Sequence, residues 1–231
     1  MGTILLAGGA EFGGEMASPD RRALEVAGGL SARVSIIPAA AAPDDNHRRA
    51  GENGVRWFRS LGATAVRALP LIDRVSAEDP GVVNDLHQSR FIYILGGFPR
   101  YLEQTLTGST GWAAILEAYR NGAVVAGASA GAMDLCSHYF DPDSGEVFQG
   151  LGLVPNTCFL PHHDAFGHRW VPRLATRLPK TVTLIGVDEE TAILSGTASG
   201  TWEVSGKGGA TIYRAAAIER YEDGAVFSLP W

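Results

Sequence analysis

Residues Val124–Leu135 read VVAGASAGAMDL and place one hydroxyl, that of Ser129, between Gly127 and Gly131. The β-branched start predicts a buried strand, and the small residues after it predict a sharp turn into a helix. The pattern G-x-S-x-G is typical of a nucleophile elbow, where small neighbours let the backbone reverse without clashes. The same residues would also suit a simple helix N-cap beside a close helix–sheet contact, so the motif alone leaves both interpretations open.

The chain before this motif alternates between apolar runs and helical segments. Apolar runs that are not interrupted by polar positions predict strands of a parallel sheet covered by helices on both faces. The predicted strands are Thr3–Ala7, Arg33–Pro38, Thr64–Leu71, Phe91–Leu95 and Ala123–Ala126. The predicted helices are Ser18–Leu30, with Ser18 as N-cap, then Asn46–Leu61, Pro80–Gln88, Tyr101–Thr107 and Trp112–Arg120.

After the elbow the sequence pattern changes and is typical of short strands joined by glycine-rich turns. This predicts an antiparallel C-terminal part that extends the same sheet. The fold class is therefore expected to be an α/β three-layer sandwich with a mostly parallel central sheet, in one domain over residues 1–231. The predicted C-terminal strands are Thr181–Val187, Ala192–Ser195, Thr201–Val204, Ala210–Tyr213 and Ala217–Leu229.

Composition excludes several classes of partner. The formal net charge of −6 and the pI near 5.5 argue against a nucleic-acid or acidic membrane surface. The two cysteines, Cys136 and Cys158, lie in apolar surroundings and are expected to be buried free thiols. No apolar segment approaches the roughly 20 residues that span a bilayer, and no basic region precedes the N-terminal apolar run. The cytoplasm is the expected location.

A reactive serine needs a base, and the segment PHHDAFGH offers one. It follows an apolar run, so a histidine there would project from a strand end into the crevice of an open α/β sheet. Adjacent histidines point to opposite sides of an extended chain, so at most one of His162 and His163 faces that crevice. With Asp164 and His168 they could instead be metal ligands, but their spacing matches no closed zinc pattern, and no metal is expected.

The third group of a triad would be a carboxylate that orients the imidazole. The segment GVDEETAIL supplies Asp188, Glu189 and Glu190 where an apolar strand ends. A run of three acids is usually solvated, and the residues themselves do not decide which of the three would act.

Two further loops leave predicted strands at paired glycines, Gly8-Gly9 and Gly96-Gly97. The first, in GGAEFGG, has the wrong spacing for a dinucleotide fingerprint, so it predicts a tight turn beside the site and no cofactor. Both loops and Ser129 are expected to face one crevice, because the carboxyl ends of the strands share one edge of the sheet.

Together these segments resemble the peptidase E and cyanophycinase family of serine peptidases, whose fold is class I glutamine amidotransferase-like. The resemblance rests on five pieces in the family's order and reaches to about residue 195. They are LLAGGAEF, YILGG, GASAGA, GLGLVPNTCFLPHH and IGVDEETAIL. It implies hydrolysis of peptide or amide bonds in small peptides through an acyl-enzyme, without a cofactor, by a homodimer.

The resemblance also implies roles for individual residues. The implied triad is Ser129, His162 and Glu189, with oxyanion donors at the amides of Gly97 and Ala130. The implied substrate contacts are Gly96, Phe98, Pro99, Arg169 and Arg173.

One departure from the family lies after the second glycine pair. Phe98 and Pro99 stand where relatives carry polar residues. This departure is the main argument for one alternative to the peptidase hypothesis, a non-catalytic small-molecule-binding member of the fold. The other alternative is an esterase or acyl hydrolase with the same triad.

Overall fold

The computed structural model describes residues 1–196, 200–214 and 217–229, and within these ranges the strands form two sheets. The helices are α1 (Ala17–Val26), α2 (His47–Ser60), α3 (Pro80–His87), α4 (Pro99–Leu106), α5 (Thr110–Arg120), α6 (Ala130–Leu135) and α7 (Val171–Arg177). The strands are β1 (Thr3–Ala7), β2 (Arg33–Ile37), β3 (Ala65–Ala68), β4 (Phe91–Ile94), β5 (Val124–Ala128), β6 (Cys136–Asp141), β7 (Glu146–Gln149), β8 (Val154–Leu160), β9 (Thr183–Val187), β10 (Thr191–Ser195), β11 (Thr201–Gly206), β12 (Gly209–Arg214), β13 (Ala217–Glu222) and β14 (Val226–Ser228).

The first sheet has the order β14-β11-β10-β1-β5-β4-β2-β3. Strands β1, β5, β4, β2 and β3 are parallel, whereas β10, β11 and β14 are antiparallel to their neighbours. The predicted α/β sandwich, with a parallel centre and an antiparallel C-terminal extension, is confirmed. The carboxyl ends of β1, β4 and β5 lie at one edge, which is where the loops of the candidate site begin.

Strands β9, β12 and β13 correct one expectation, because they do not extend the first sheet. They form the second sheet with β6, β7 and β8, in the order β13-β12-β9-β8-β6-β7. The reason is that β6, which directly follows α6, starts a new sheet that β8 and β9 join in parallel. Since β9 belongs to the second sheet and β10 to the first, the short acidic turn between them, residues 188–190, crosses from one sheet to the other.

Helix α1 also departs from its predicted bounds. It begins at Ala17, directly after a 3-10 turn over Gly14–Met16, so Ser18 lies inside the helix and is not its N-cap. It ends at Val26 rather than Leu30, because Gly28 and Gly29 adopt φ angles of 113° and 86°, in the region that only glycine enters easily.

The core lies on both faces of the first sheet. Along β1, Ile4 and Leu6 pack with residues of α3 to α6, whereas Leu5 and Ala7 pack with residues of α1 and α2. This alternation, with both sides buried, accounts for the uninterrupted apolar runs of the parallel strands. Both cysteines are buried free thiols, as predicted. No helix within the described ranges has the length and apolar character that crossing a membrane requires.

One buried acid stands out in α1. Asp20 is fully buried, and its Oδ2 accepts a hydrogen bond of 2.7 Å from the indole Nε1 of Trp57. Burial raises the pKa of the Asp20 carboxyl to about 7; the Trp57 hydrogen bond opposes this rise, and the nearby charge of Glu11 adds to it. The folded protein therefore holds a proton on Asp20 at pH values where the unfolded chain has released it.

Replacing Asp20 by Asn should change the pH dependence of stability. The stability contributed by this group is fully present below the unfolded pKa, near 4, and is lost as pH rises from there through about 7, because over this range the unfolded chain has released the proton that the folded state still holds. Between pH 5 and pH 8 the free energy of unfolding of Asp20→Asn should therefore rise by roughly 3 kcal/mol relative to wild type. Urea unfolding at both pH values measures this, and a difference that does not change with pH would contradict it.

Candidate active site

Ser129 stands between β5 and α6 in a strained backbone conformation. Its φ and ψ are 48° and −115°, a sparsely populated region that costs on the order of 1–3 kcal/mol for a residue with a side chain. Neighbouring backbone holds it there: its amide donates to the carbonyl of Ala7 at 3.1 Å, and its carbonyl accepts from the amide of Met133 at 3.0 Å. The strand–turn–helix context expected of a nucleophile elbow is present.

The glycines beside Ser129 are required by close backbone contacts. A Cβ at Gly127 would lie 2.5 Å from the carbonyl carbon of Gly131, and a Cβ at Gly131 would lie 2.3 Å from the carbonyl oxygen of Ile94. Neither distance admits an atom, so any larger residue would push α6 away from the sheet. The small residues of the motif are therefore explained by helix–sheet packing that the elbow itself requires.

His162 follows β8 and is fixed by its backbone as well as its ring. Its φ is 49°, yet its amide donates to the carbonyl of Gly8 at 2.6 Å, and its carbonyl accepts from the amides of Ala165, Phe166 and Gly167. The ring of Phe166 stacks on the imidazole with centroids 4.8 Å apart. These contacts direct the ring towards the elbow, where Nε2 lies 3.2 Å from the Oγ of Ser129.

Glu189 lies on the other side of the imidazole. Its Oε1 is 2.7 Å from Nδ1 of His162, and its side chain is 38% exposed. The turn that presents it is held at two points: the Glu189 amide donates to Oδ1 of Asp164 at 2.9 Å, and the Glu190 amide donates to the carbonyl of Gly9 at 3.0 Å. A carboxylate, an imidazole and a hydroxyl from three distant segments therefore form one hydrogen-bonded row.

The acids on either side of Glu189 have other partners. Glu190 pairs with Lys207 at 2.9 Å. The Asp188 carboxyl accepts hydrogen bonds from Arg220 at 2.6 Å and from the Gly209 amide at 2.9 Å, and Nδ1 of His163 lies 3.5 Å from its second oxygen. Burial alone would raise the pKa of Asp188, but these donors hold it well below its usual range. His162 and His163 thus have different partners, as expected, but His162 lies in a turn with a φ of 49° and not in extended chain.

Both glycine pairs lie against this row of groups. A Cβ on Gly9, whose φ is 120°, would overlap the imidazole of His162 at 2.2 Å. A Cβ on Gly96 would stand 3.0 Å from the Cβ of Ser129. Gly97, with φ at 141°, has room for no side chain because the carbonyl oxygen of Ala40 would be 2.2 Å away. The two loops can come this close to His162 and Ser129 only because glycine stands at these positions.

A surface cleft of about 740 Å³ opens beside the second glycine pair. Its lining includes Gly96 and Gly97 together with Glu11, Phe12 and Trp57. The cleft is large enough for a ligand of a few residues.

The residues predicted to contact substrate differ in exposure and in their position relative to the cleft. Gly96 borders both Ser129 and the cleft. Phe98 is 36% exposed, whereas Pro99 is buried as the first residue of α4. Arg169 is exposed in a 3-10 turn.

Arg173 is placed away from this row of groups. Its guanidinium lies against Gly145 and 5.7 Å from the ring centroid of Phe140, so its contacts are with the second sheet.

Metal ligation finds no support in the part of the chain that the structure describes. No group of three or more His, Cys, Asp or Glu side chains there is arranged to hold an ion. The histidines of the PHHDAFGH segment are used otherwise: His163 contacts the Tyr213 hydroxyl at 2.7 Å, and Nδ1 of His168 contacts the His163 carbonyl at 2.9 Å.

The sequence alone did not place three side chains that the structure brings to the site. They are Phe166, which stacks on His162, Asp164, which accepts from the Glu189 amide, and Glu11, which lines the cleft. Phe166 and Asp164 both belong to the PHHDAFGH segment, whose turn brings them back to His162 and to the acidic turn. Glu11 lies in the first glycine loop, and the only signal was an acid standing among glycines at a strand end.

Comparison with known proteins identifies the family. The model of peptidase family S51 matches residues 4–199. The chain belongs to peptidase family S51. This match confirms the resemblance to the peptidase E and cyanophycinase family, and it supports peptidase activity for the chain.

Individual proteins match over almost the whole chain. A cyanophycinase from Geminocystis herdmanii (strain PCC 6308) is 27% identical over 237 residues, covering 97% of this chain and 85% of that protein. The crystal structure of a peptidase from an acI-B1 Actinobacterium has a TM-score of 0.88 at 27% identity, covering 99% of this chain and 97% of that one. A peptidase E protein from Listeria monocytogenes EGD-e shares the fold, with a TM-score of 0.61, 18% identity and coverage of 96% and 98%.

Replacing Gly9 by Ala should separate the imidazole from Ser129. The new methyl group would occupy the space of the His162 ring, so peptidase activity should fall by at least about 100-fold, the cost of misplacing a reacting group by an ångström. Gly13→Ala is the matched control in the same loop, because its φ is −163° and no atom lies within 4 Å of the added carbon. Equal activity in the two variants, measured as kcat/KM on one peptide, would contradict this role of Gly9.

Proposed function

We propose that this member of family S51 is a serine peptidase that hydrolyses peptide or amide bonds of small peptides through an acyl-enzyme. The proposed triad is Ser129, His162 and Glu189. The observation that carries the proposal is the continuous row of contacts, 3.2 Å from Ser129 Oγ to His162 Nε2 and 2.7 Å from His162 Nδ1 to Glu189 Oε1. Both lengths are within hydrogen-bond reach, as proton transfer along such a row requires.

In the first half of the reaction His162 acts as the base. Its Nε2 takes the proton of the Ser129 hydroxyl as Oγ attacks the substrate carbonyl, and the Glu189 carboxylate stabilises the imidazolium that forms. The imidazolium then gives its proton to the leaving amine as the C–N bond breaks. The products of this half are a free amine and an ester between Ser129 and the acyl part of the substrate.

In the second half water repeats the attack. His162 takes a proton from the water, the hydroxide oxygen adds to the ester carbonyl, and the proton passes to Ser129 Oγ as the ester bond breaks. The exposure of the His162 side chain, 19%, leaves a path for water to reach the ring. No cofactor enters either half.

The oxyanion of each tetrahedral intermediate would be held by two backbone amides. Ala130 follows the nucleophile at the start of α6, and Gly97 belongs to the loop whose neighbour Gly96 packs on Ser129. Removing one such donor typically costs about 10²–10³ in rate. A backbone hydrogen bond holds this loop in place: the Phe98 amide donates to the carbonyl of Ala40 at 2.8 Å.

Support for a small peptide as substrate comes from the site and from the relatives. The cleft beside Gly96 and Gly97 has the size for a few residues, and the curated relative is named a cyanophycinase. Gly96 and the exposed residues Phe98 and Arg169 remain proposed substrate contacts. A homodimer is proposed only from the family resemblance.

The test is hydrolysis of a panel of free and blocked di- and tripeptides. Ser129→Ala should remove nearly all activity, and Glu189→Gln should lower kcat by about 10²–10⁴-fold, because the imidazole loses its orienting charge. Glu190→Gln is the matched control, since this neighbouring side chain pairs with Lys207 instead. It should keep most of the activity.

Three outcomes would contradict the proposal. They are the absence of wild-type hydrolysis across the panel, full activity in Ser129→Ala, and robust turnover of p-nitrophenyl acetate without any peptide cleavage. The last result would indicate an esterase with the same triad.

A further inference from the structure

A second row of a hydroxyl, an imidazole and a carboxylate lies next to the first. It consists of Tyr213, His163 and Asp188, and we call it the second row. The hydroxyl of Tyr213 is 2.7 Å from Nε2 of His163, and Nδ1 of His163 is 3.5 Å from Oδ1 of Asp188. The two rows are built from the same two segments of chain, since His163 follows His162 and Asp188 precedes Glu189.

The imidazole of His163 is buried and rests on the strand that leads into the acidic turn. A Cβ on Gly186 of β9 would come within 2.1 Å of the ring, so the ring lies directly on the backbone of that strand. The amide of His163 donates to the carbonyl of Val187 at 3.1 Å. His163 therefore contacts the end of β9 through its backbone as well as through its ring.

The charge of Asp188 determines which ring nitrogen of His163 carries the proton. Burial favours the neutral acid, but the contacts with His163, Arg220 and the Gly209 amide hold the pKa of Asp188 well below its usual range. An anionic Asp188 favours a proton on Nδ1 of His163, which leaves Nε2 to accept from the Tyr213 hydroxyl. Oδ1 of Asp188 has no short hydrogen bond in the described part of the chain, so the contact with Nδ1 is what partners this buried oxygen.

The second row is not a second catalytic centre. Burial raises the pKa of the Tyr213 phenol, so the hydroxyl stays protonated and donates to the imidazole. Tyr213 lines a separate cleft between α7 and β13, and no member of the second row lines the cleft beside Gly96. The row can therefore affect the reaction only through the backbone that it holds.

The carboxylate of Glu189 depends on that backbone. Within the described residues its side chain has one hydrogen bond, the 2.7 Å contact with Nδ1 of His162, and it is more exposed than the imidazole. Its distance from His162 is therefore set mainly by the position of the acidic turn. Asp188, the first residue of that turn, is the one that the second row contacts.

We propose that His163 and Tyr213 are positioning residues of the peptidase reaction, which hold Asp188 so that the Glu189 carboxylate stays at Nδ1 of His162. This rests on the proposed triad and acts through Glu189 alone. No group of the second row transfers a proton in the reaction or touches the substrate.

The first experiment changes the imidazole. His163→Ala should lower kcat by about 100-fold, the cost of misplacing a reacting group by an ångström, and should leave KM within about twofold of wild type, because the lining of the substrate cleft is unchanged. His163→Asn should bring kcat back to within about tenfold of wild type, because its side-chain amide supplies an N–H donor to Asp188.

The second experiment removes only the phenolic oxygen. Tyr213→Phe keeps the ring and loses one hydrogen bond, so kcat should fall by roughly two- to tenfold with KM unchanged. Tyr221→Phe is the matched control, because this tyrosine of β13 belongs to the same sheet but stacks on Phe227. It should keep the wild-type kcat.

A double-mutant cycle separates positioning from a general effect on packing. In the Glu189→Gln background the orienting carboxylate is already lost, so His163→Ala should lower kcat by no more than about threefold further. Tyr213→Phe in the same background should have no effect and provides the same test if His163→Ala does not fold. Circular dichroism at the assay temperature shows which variants are folded.

Several results would overturn the role of the second row and leave the serine peptidase intact. They are an unchanged kcat in both His163→Ala and Tyr213→Phe, losses of the same factor with and without Glu189→Gln, a rise in KM in place of a fall in kcat, and a matching loss in Tyr221→Phe. Absence of any hydrolysis that depends on Ser129 would instead overturn the proposed function, and the inference would fail with it.

Discussion

The site depends on two backbone hydrogen bonds made by one glycine pair. The carbonyl of Gly8 accepts from the His162 amide at 2.6 Å, and the carbonyl of Gly9 accepts from the Glu190 amide at 3.0 Å. The loop after β1 therefore ties the turn that carries the imidazole to the turn that carries the carboxylate. It can approach both so closely only because Gly9 has no side chain where the imidazole lies. The preorganisation of His162 and Glu189 thus follows from a constraint on residues that take no part in the chemistry.

A second, buried set of contacts holds the acidic turn from behind. This turn crosses between the two sheets, and Asp188 at its start is bound by Arg220 and by the Gly209 amide of β12. The carboxylate is stabilised in its charged form by these donors, so the crossing is held by charge-assisted hydrogen bonds, which are stronger than neutral ones. In this way Asp188 fixes the backbone while its neighbour Glu189 stays free to contact the imidazole. Asp188 therefore has a structural role, and the next residue, Glu189, has the proposed catalytic role.

The sequence predicted the parallel centre well, because its strands are buried on both faces and read as continuous apolar runs. Strand β1 was predicted over Thr3–Ala7, as observed. The sequence did not predict the second sheet. The periodicity and content of apolar residues indicate that a strand exists, but they do not indicate which strand it pairs with. In the site, local motifs pointed to Ser129 and to the histidine segment. The choice among three consecutive acids needed either a family resemblance or the fold, because it depends on contacts with residues about 25 positions away.

The central claim is that the hydroxyl of Ser129 is activated by this row of groups. The most direct measurement is covalent labelling with a fluorophosphonate, followed by peptide mass mapping of wild type and of His162→Ala. The account predicts a single adduct on the peptide that contains Ser129, formed far more slowly when the imidazole is removed. An adduct on another residue, or equal labelling rates in the two proteins, would contradict it.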